Sequence, residues 1–205
     1  MARGKAATFE LQRATILDAA AALFAQKGFH NASMSALAEA CGISKPLLYH
    51  YYRDKEHILF DIADSYIDRL LAIVAEVEAR ALDDEAHFSA LVTRFMEEYE
   101  HAHDEHIVLV QDVKFLQREQ AAQVAEKQRQ LVSAFADAVS RIEPDLKRSK
   151  LERPVTMILF GMINWTFTWM RSDGRLTFRD MAPVVTGIFL NGVRGYVEQK
   201  GKVPV

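Results

Sequence analysis

Cysteine is almost missing from this sequence: one residue, Cys41, in 205. A lone thiol cannot close an internal disulfide, so no covalent staple is available and a reducing compartment, the cytoplasm, is the expected home. An uninterrupted apolar run of about twenty residues is also missing, so no membrane-spanning helix is predicted. The most apolar stretch, 154–170, is broken by Thr156, Asn164, Thr166 and Thr168 and reads as a buried or interface helix. No early segment joins basic residues, an apolar run and a small-residue cleavage site, so no leader is expected. Alternation of apolar and polar residues, the mark of a half-buried strand, does not occur. Hydrolase elbow, phosphate-cradling glycine loop and HExxH are lacking as well, so the chain is not read as an enzyme, and no catalytic residue, metal ligand or cofactor is predicted. Glu97 and His101 stand four apart on one helix face, but with His103, Asp104 and His106 they read as a solvated polar surface.

What remains is a chain 50% hydrophobic and 26% charged, long enough to bury a substantial core. Residues 1–57 hold 7 Lys and Arg against 5 Asp and Glu, a net of +2; residues 58–205 hold 18 against 23, a net of -5. The mildly basic start suits a small head on a polyanion, and the acidic remainder suits a body that stays off it. Apolar residues recur at helical spacing nearly throughout. The first seven residues read as a mobile arm, followed by a helix from Thr8 to about Lys27, stopped by Gly28. Short helices are predicted at 34–40 and from Lys45 to about Tyr52, then a long one from Lys55 to about Arg80. Further helices are placed near 84–103, 105–118, 120–142, 152–171 and 178–198, with breaks at Asp83-Asp84, Asp104, Pro144 and Asp173-Gly174. Thr177 and Asp180 form a capping pair. The prediction is all-α, about nine helices, with 1–55 as one domain and 56–205 as a second.

The informative stretch runs from Phe29 to Ile58. Two short helices, each opened by a serine (Ser33 and Ser44), flank a tight turn at Cys41-Gly42-Ile43. This is a helix-turn-helix, with Leu37, Ala38 and Ile43 as its apolar seam. Leu48 and Tyr52 should pack back toward Leu23 and Phe24. The outer face of the second helix then carries Lys45, Leu47, Tyr49, His50 and Tyr51. In such a motif that face enters the major groove. Ser33, Ser44 and Lys55 sit at helix starts, where backbone donors favour a phosphate. The predicted DNA contacts are Ser33, Ser44, Lys45, Leu47, Tyr49, His50 and Lys55.

This stretch resembles the head of the TetR/AcrR-type one-component regulators. Gly28-Phe29, Ala32-Ser33-Met34, Leu37-Ala38, Ala40-Cys41-Gly42-Ile43-Ser44, Leu48-Tyr49 and Lys55-Glu56 carry the resemblance. Cys41 stands where Ala is usual, and Tyr51-Tyr52 replaces a more typical His-Phe. The resemblance implies a homodimer on double-stranded operator DNA, with an N-terminal three-helix head and a C-terminal helical bundle that binds an inducer and pairs through its last two long helices.

In the body, Trp165, Phe167 and Trp169 crowd one helix. They read mainly as dimer anchors, helped by Gly161, Gly187, Gly192 and Gly195, with a pocket lining as the competing reading. Asn164-Trp165, Trp169 and Asp173-Gly174-Arg175-Leu176 are similar to a branch of the family controlling fatty-acid, aromatic-acid or steroid catabolism in response to acyl-CoA thioesters. That resemblance implies Tyr66, Phe95, Tyr99, Phe115, Trp165 and Trp169 against the ligand, and Arg171 and Arg175 on its phosphates. Against this, arginines near a helix C-terminus complement its dipole. The alternative is a multidrug-sensing repressor of an efflux gene, which would place buried carboxylates against cationic ligands.

Overall fold

The computed structural model describes residues 2–171 and 174–200. Among them are ten α-helices, three 3₁₀ segments and no strand. The helices are α1 (Ala2–Lys27), α2 (Met34–Ala40), α3 (Lys45–Tyr51), α4 (Lys55–Glu78), α5 (Asp84–His101), α6 (His103–Gln111), α7 (Arg118–Ile142), α8 (Pro144–Arg148), α9 (Glu152–Asn164) and α10 (Phe178–Lys200). The 3₁₀ segments are Phe29–Asn31, Val113–Phe115 and Trp165–Thr168. None of these helices is long and apolar enough to cross a membrane.

Contacts divide the chain into two compact units. One takes the chain through Ile67 and then Ala102–Ala125; the other takes Asp68–His101 and the chain from Glu126 onward. In the first, α6 packs along α1, and α1, α2 and α3 pack in sequence around Ile16, Phe24, Leu37 and Leu48, all buried. In the second, α10 packs on α5 and α9 over Phe88, Phe95, Phe135 and Leu159. Ring pairs tie this core, with Phe95 on Phe135 at 4.7 Å and Phe135 on Phe160 at 5.1 Å.

Several boundaries differ from expectation. The arm is not separate from the first helix: α1 starts at Ala2, so Thr8 lies inside it. Alanines at 2, 6 and 7 favour helix, and a capping threonine is not needed to begin one. The helix predicted over 105–118 is α6 plus the 3₁₀ turn at Val113–Phe115. Pro144, expected only as a break, opens α8, because its missing N–H is harmless in a first turn. The helix predicted over 152–171 ends at Asn164 and tightens into a 3₁₀ segment, where the Thr166 hydroxyl donates to Ile163 O at 2.6 Å. Asp173, half of a predicted break, lies outside the described residues.

Candidate functional site

The head is set by backbone requirements at two glycines. Gly28 ends α1 with its N–H on Phe24 O at 2.7 Å and φ of 77°. Gly42 turns the chain between α2 and α3 at φ of 64°, while Ile43 N–H donates to Ala38 O at 3.0 Å. L side chains rarely adopt such angles, so glycine is required for conformational rather than spatial reasons. Ser33 caps α2 by accepting from Ala36 N–H at 3.1 Å, and Ser44 caps α3 by accepting from Leu47 N–H at 3.3 Å. Pro46 sits in the first turn of α3. Leu37 and Ala38 of the predicted seam are buried and its third residue, Ile43, is half-buried; Leu48 and Tyr52 are buried as well.

Burying Leu48 turns the other side of α3 outward. Ser33, Ser44, Lys45, Leu47, Tyr49 and His50 are all exposed, with Tyr49 at 48%. The structure therefore brings six of the seven predicted DNA-contact side chains onto open surface. Tyr51, expected on the same face, is half-buried and stacked on Phe9 of α1 at 4.7 Å. Next to it, Arg13 donates to Tyr52 Oη at 3.1 Å and to Asp61 at 2.6 Å, which ties α1 to the end of α3 and to α4. Burial pushes the Tyr52 phenol up, and the Asp61 hydrogen bond does the same for Arg13, so neither titrates near neutrality.

Lys55 is the exception. Its ammonium donates to Phe29 O at 2.9 Å, Ala32 O at 3.1 Å and His30 O at 3.3 Å, and lies 4.4 Å from the Phe29 ring centroid. Its predicted phosphate contact is thus corrected: the charge is tied to the connector between α1 and α2, and only the N-terminus of α4 is left for a phosphate. Phe29 also stacks on Phe115, with centroids 5.6 Å apart. Asp112, buried at the end of α6, accepts from the Phe29 backbone N–H. Burial raises the Asp112 carboxyl, and Lys114, that N–H and His30 oppose the rise. Phe115, predicted against a ligand, is half-buried and belongs to this head cluster instead. A partner 86 positions away leaves no periodic trace in sequence.

The remaining predicted ligand residues separate into three groups. Tyr66 is fully buried, with its hydroxyl 3.3 Å from His106 Nδ1. His106 is itself buried, which corrects its reading as surface. Phe95 and Tyr99 are buried neighbours, centroids 6.1 Å apart, and Tyr99 donates to Asn164 Oδ1 at 2.9 Å. Burial drives the Tyr99 phenol upward. Trp165 is 62% exposed and Trp169 55%, and Arg171 and Arg175 are also exposed, so these four lie on the surface of the single chain. Sequence reasoning singled out Asn164 only as part of a motif; its hydrogen bond to Tyr99 was not foreseen. Among the described residues no three His, Cys, Asp or Glu side chains are grouped to hold a metal.

The last two helices carry an open apolar face. Ile158 and Ile188 are each 62% exposed, and Met157, Val184 and Tyr196 are exposed as well. A groove of about 490 Å³ is lined by Ile158, Ile188 and Tyr196 together with the buried Phe189 and Val193. A Cβ added at Gly161, Gly187, Gly192 or Gly195 would meet nothing within 4 Å, so the chain's own packing does not explain these four helical glycines.

A helix-turn-helix presenting a capped, exposed second helix, on an all-helical chain, defines a DNA-binding transcriptional regulator. Residues 16–62 match the family model for bacterial regulatory proteins of the tetR family, and residues 81–193 match the tetracyclin repressor-like C-terminal domain. The chain belongs to the TetR family. Its curated relatives include the transcriptional repressor KstR2 of Rhodococcus jostii, 26% identical over 185 residues and covering 89% of this chain and 91% of the relative. A TetR-family regulator from Bordetella parapertussis is 34% identical with a TM-score of 0.84, covering 87% of this chain and 94% of that one. AibR, solved in complex with isovaleryl coenzyme A and operator DNA, shares the fold at 24% identity and a TM-score of 0.75, covering 87% and 98%. These relatives are transcriptional regulators, not enzymes.

Proposed function

We propose that this regulator is a repressor released from its operator by a small-molecule inducer, an acyl-CoA thioester, and that it acts in the cytoplasm as a homodimer paired through α9 and α10. In this reading residues 1–55 bind DNA and residues 56–205 bind the inducer and pair. The exposed face of α3 carries the proposal. Lys45, Leu47, Tyr49 and His50 project from it, while Ser33, Ser44 and the start of α4 offer backbone donors to phosphates on either side. The pairing rests on the apolar face and open glycines of α9 and α10, because a helical glycine without an intrachain neighbour suits close approach by another helix. Two recognition helices must then sit roughly 34–36 Å apart, one turn of DNA. An inducer lowers operator affinity only if it binds the off-DNA arrangement better.

The repressor role is supported by KstR2, a transcriptional repressor, and the inducer class by AibR, which holds isovaleryl coenzyme A. Phe95 and Tyr99 supply buried aromatic surface for the acyl group, and Arg171 and Arg175 supply charge for the phosphates. The multidrug alternative calls for a buried acid facing a cation. Asp112 is the buried acid among the described residues, and it is engaged by the Phe29 N–H. The test has two parts. An operator selected from random DNA should lose binding by more than tenfold when Lys45 and Tyr49 are both replaced by Ala, with helicity unchanged. Acyl-CoAs of graded chain length should then release the wild-type protein. Release by lipophilic cations and by no acyl-CoA would overturn the inducer assignment.

A further inference from the structure

The turn between α3 and α4 carries a guanidinium that its own contacts do not use up. The Arg53 side chain is 70% exposed. Its Nε donates to Asp54 Oδ2 at 2.9 Å, and its Nη2 lies 3.0 Å from His57 Nε2. Asp54 caps α4: its Oδ1 accepts from the His57 backbone N–H at 2.9 Å and from His57 Nδ1 at 2.7 Å. Arginine can only donate and a carboxylate only accept, so the imidazole proton sits on Nδ1 and Nε2 accepts from Arg53. The three side chains close a ring of hydrogen bonds that fixes the guanidinium plane. That ring takes two of the five N–H donors of an arginine and leaves the others open. Beside it lies a hollow of about 400 Å³ lined by Arg53 with Phe9, Tyr51, Tyr52 and His57. Arg13 and Asp61 also line it, but they are joined at 2.6 Å and offset each other. The Asp54 oxygens are occupied by three donors.

We propose that Arg53 binds a phosphate of the operator backbone at the groove edge reached by the end of α3, in the role from which Lys55 is withdrawn, and that His57 is a positioning residue that holds its fork. The inference rests on the insertion of α3 into the major groove given under Proposed function. A recognition helix that meets the bases through its N-terminal residues leaves its far end at the backbone. Arg53 directly follows Tyr52, the C-cap of α3. Lys55, two positions on, spends its ammonium on the carbonyls of Phe29, His30 and Ala32. The exposed cation of this turn is therefore the arginine. A guanidinium meets two phosphate oxygens at once, and a plane set in advance loses less freedom on binding. Such a contact fixes the register of the head on the duplex and reads no base. Were Arg53 only a brace for the α4 cap, its loss would lower stability and leave the salt dependence of DNA binding unchanged.

The test uses the full-length protein and an operator that the wild type selects from random DNA, with affinity followed by fluorescence anisotropy through a salt series. Arg53→Gln is expected to weaken binding at least fivefold at low salt. The slope of log affinity against log salt should fall by about 0.9 per subunit, with the selected sequence kept. Its urea midpoint should stay close to that of wild type, because the side chain is mostly exposed. His57→Ala should weaken binding at least twofold with the slope kept, and should have no effect in the Arg53→Gln background. Equal effects of His57→Ala in the two backgrounds would overturn the positioning role. An unchanged slope for Arg53→Gln, whatever its stability, overturns the phosphate contact and leaves recognition through α3 standing. A wild-type protein that selects no operator would overturn the recognition reading itself, and this contact with it.

Discussion

The Lys55 ammonium sits where the carbonyls of Phe29, His30 and Ala32 converge. Hydrogen bonds from a charged donor contribute roughly 1.5–3 kcal/mol, so Lys55→Met should lower unfolding free energy by about that much in urea melts. The salt dependence of operator binding should hardly change. A phosphate contact would instead show as a drop of about 0.9 per subunit in the slope of log affinity against log salt, with stability intact. His87 offers a second residue-level test. Arg141 donates to its Nδ1 at 2.8 Å and to Asp84 at 3.0 Å, which places the imidazole proton on Nε2. Burial, and after it the Arg141 charge, lower the His87 pKa below its ordinary value, with Glu78 and Asp84 opposing. The folded state therefore resists protonation more than the unfolded one. Its contribution is complete above the unfolded pKa and is lost as pH falls through the folded one. Urea midpoints measured from about pH 7 down to about pH 5 should fall more steeply for wild type than for His87→Gln, which keeps an acceptor but cannot titrate.

At the scale of elements, caps and turns were legible because their chemistry is local. Ser33, Ser44 and the reciprocal Thr177–Asp180 pair stand where the sequence places them, with Thr177 N–H on Asp180 at 2.9 Å and Asp180 N–H on Thr177 Oγ1 at 3.1 Å. Gly42→Ala should cost on the order of 1 kcal/mol or more, read in the same melts, because the strain comes from φ of 64° rather than from a clash. The end of α9 was not legible. Apolar residues run on past Asn164, and nothing in their spacing reveals that Thr166 turns inward and both tryptophans outward. Tyr51 and Phe115 were misplaced for a related reason: each has an aromatic partner, Phe9 or Phe29, far along the chain. Periodicity assigns a residue to a face, and only packing decides what meets it.

For the whole molecule, the decisive quantity is the dimer. Charge asymmetry between head and body is slight, so operator affinity should depend on two heads acting together rather than on a basic patch. With α9 and α10 paired as proposed above, a variant carrying Ile158→Asp and Ile188→Asp should be a monomer and bind a full operator at least a hundredfold more weakly than wild type by fluorescence anisotropy, and a half-site about equally. Helical content could be read from sequence, but a cut at residue 55 could not anticipate that Ala102–Ala125 joins the first unit; the inducer and the surface that meets the second copy depend on contacts that no spacing encodes. The Phe29 clamp limits how freely such regulators can be recombined. A head severed at residue 55 would leave behind Phe115, which covers one face of the Phe29 ring, and Asp112, which receives its N–H. Chimeras that graft this head onto another body should therefore succeed only when the segment from α6 through Phe115 travels with it, so the transplantable cassette is discontinuous in sequence.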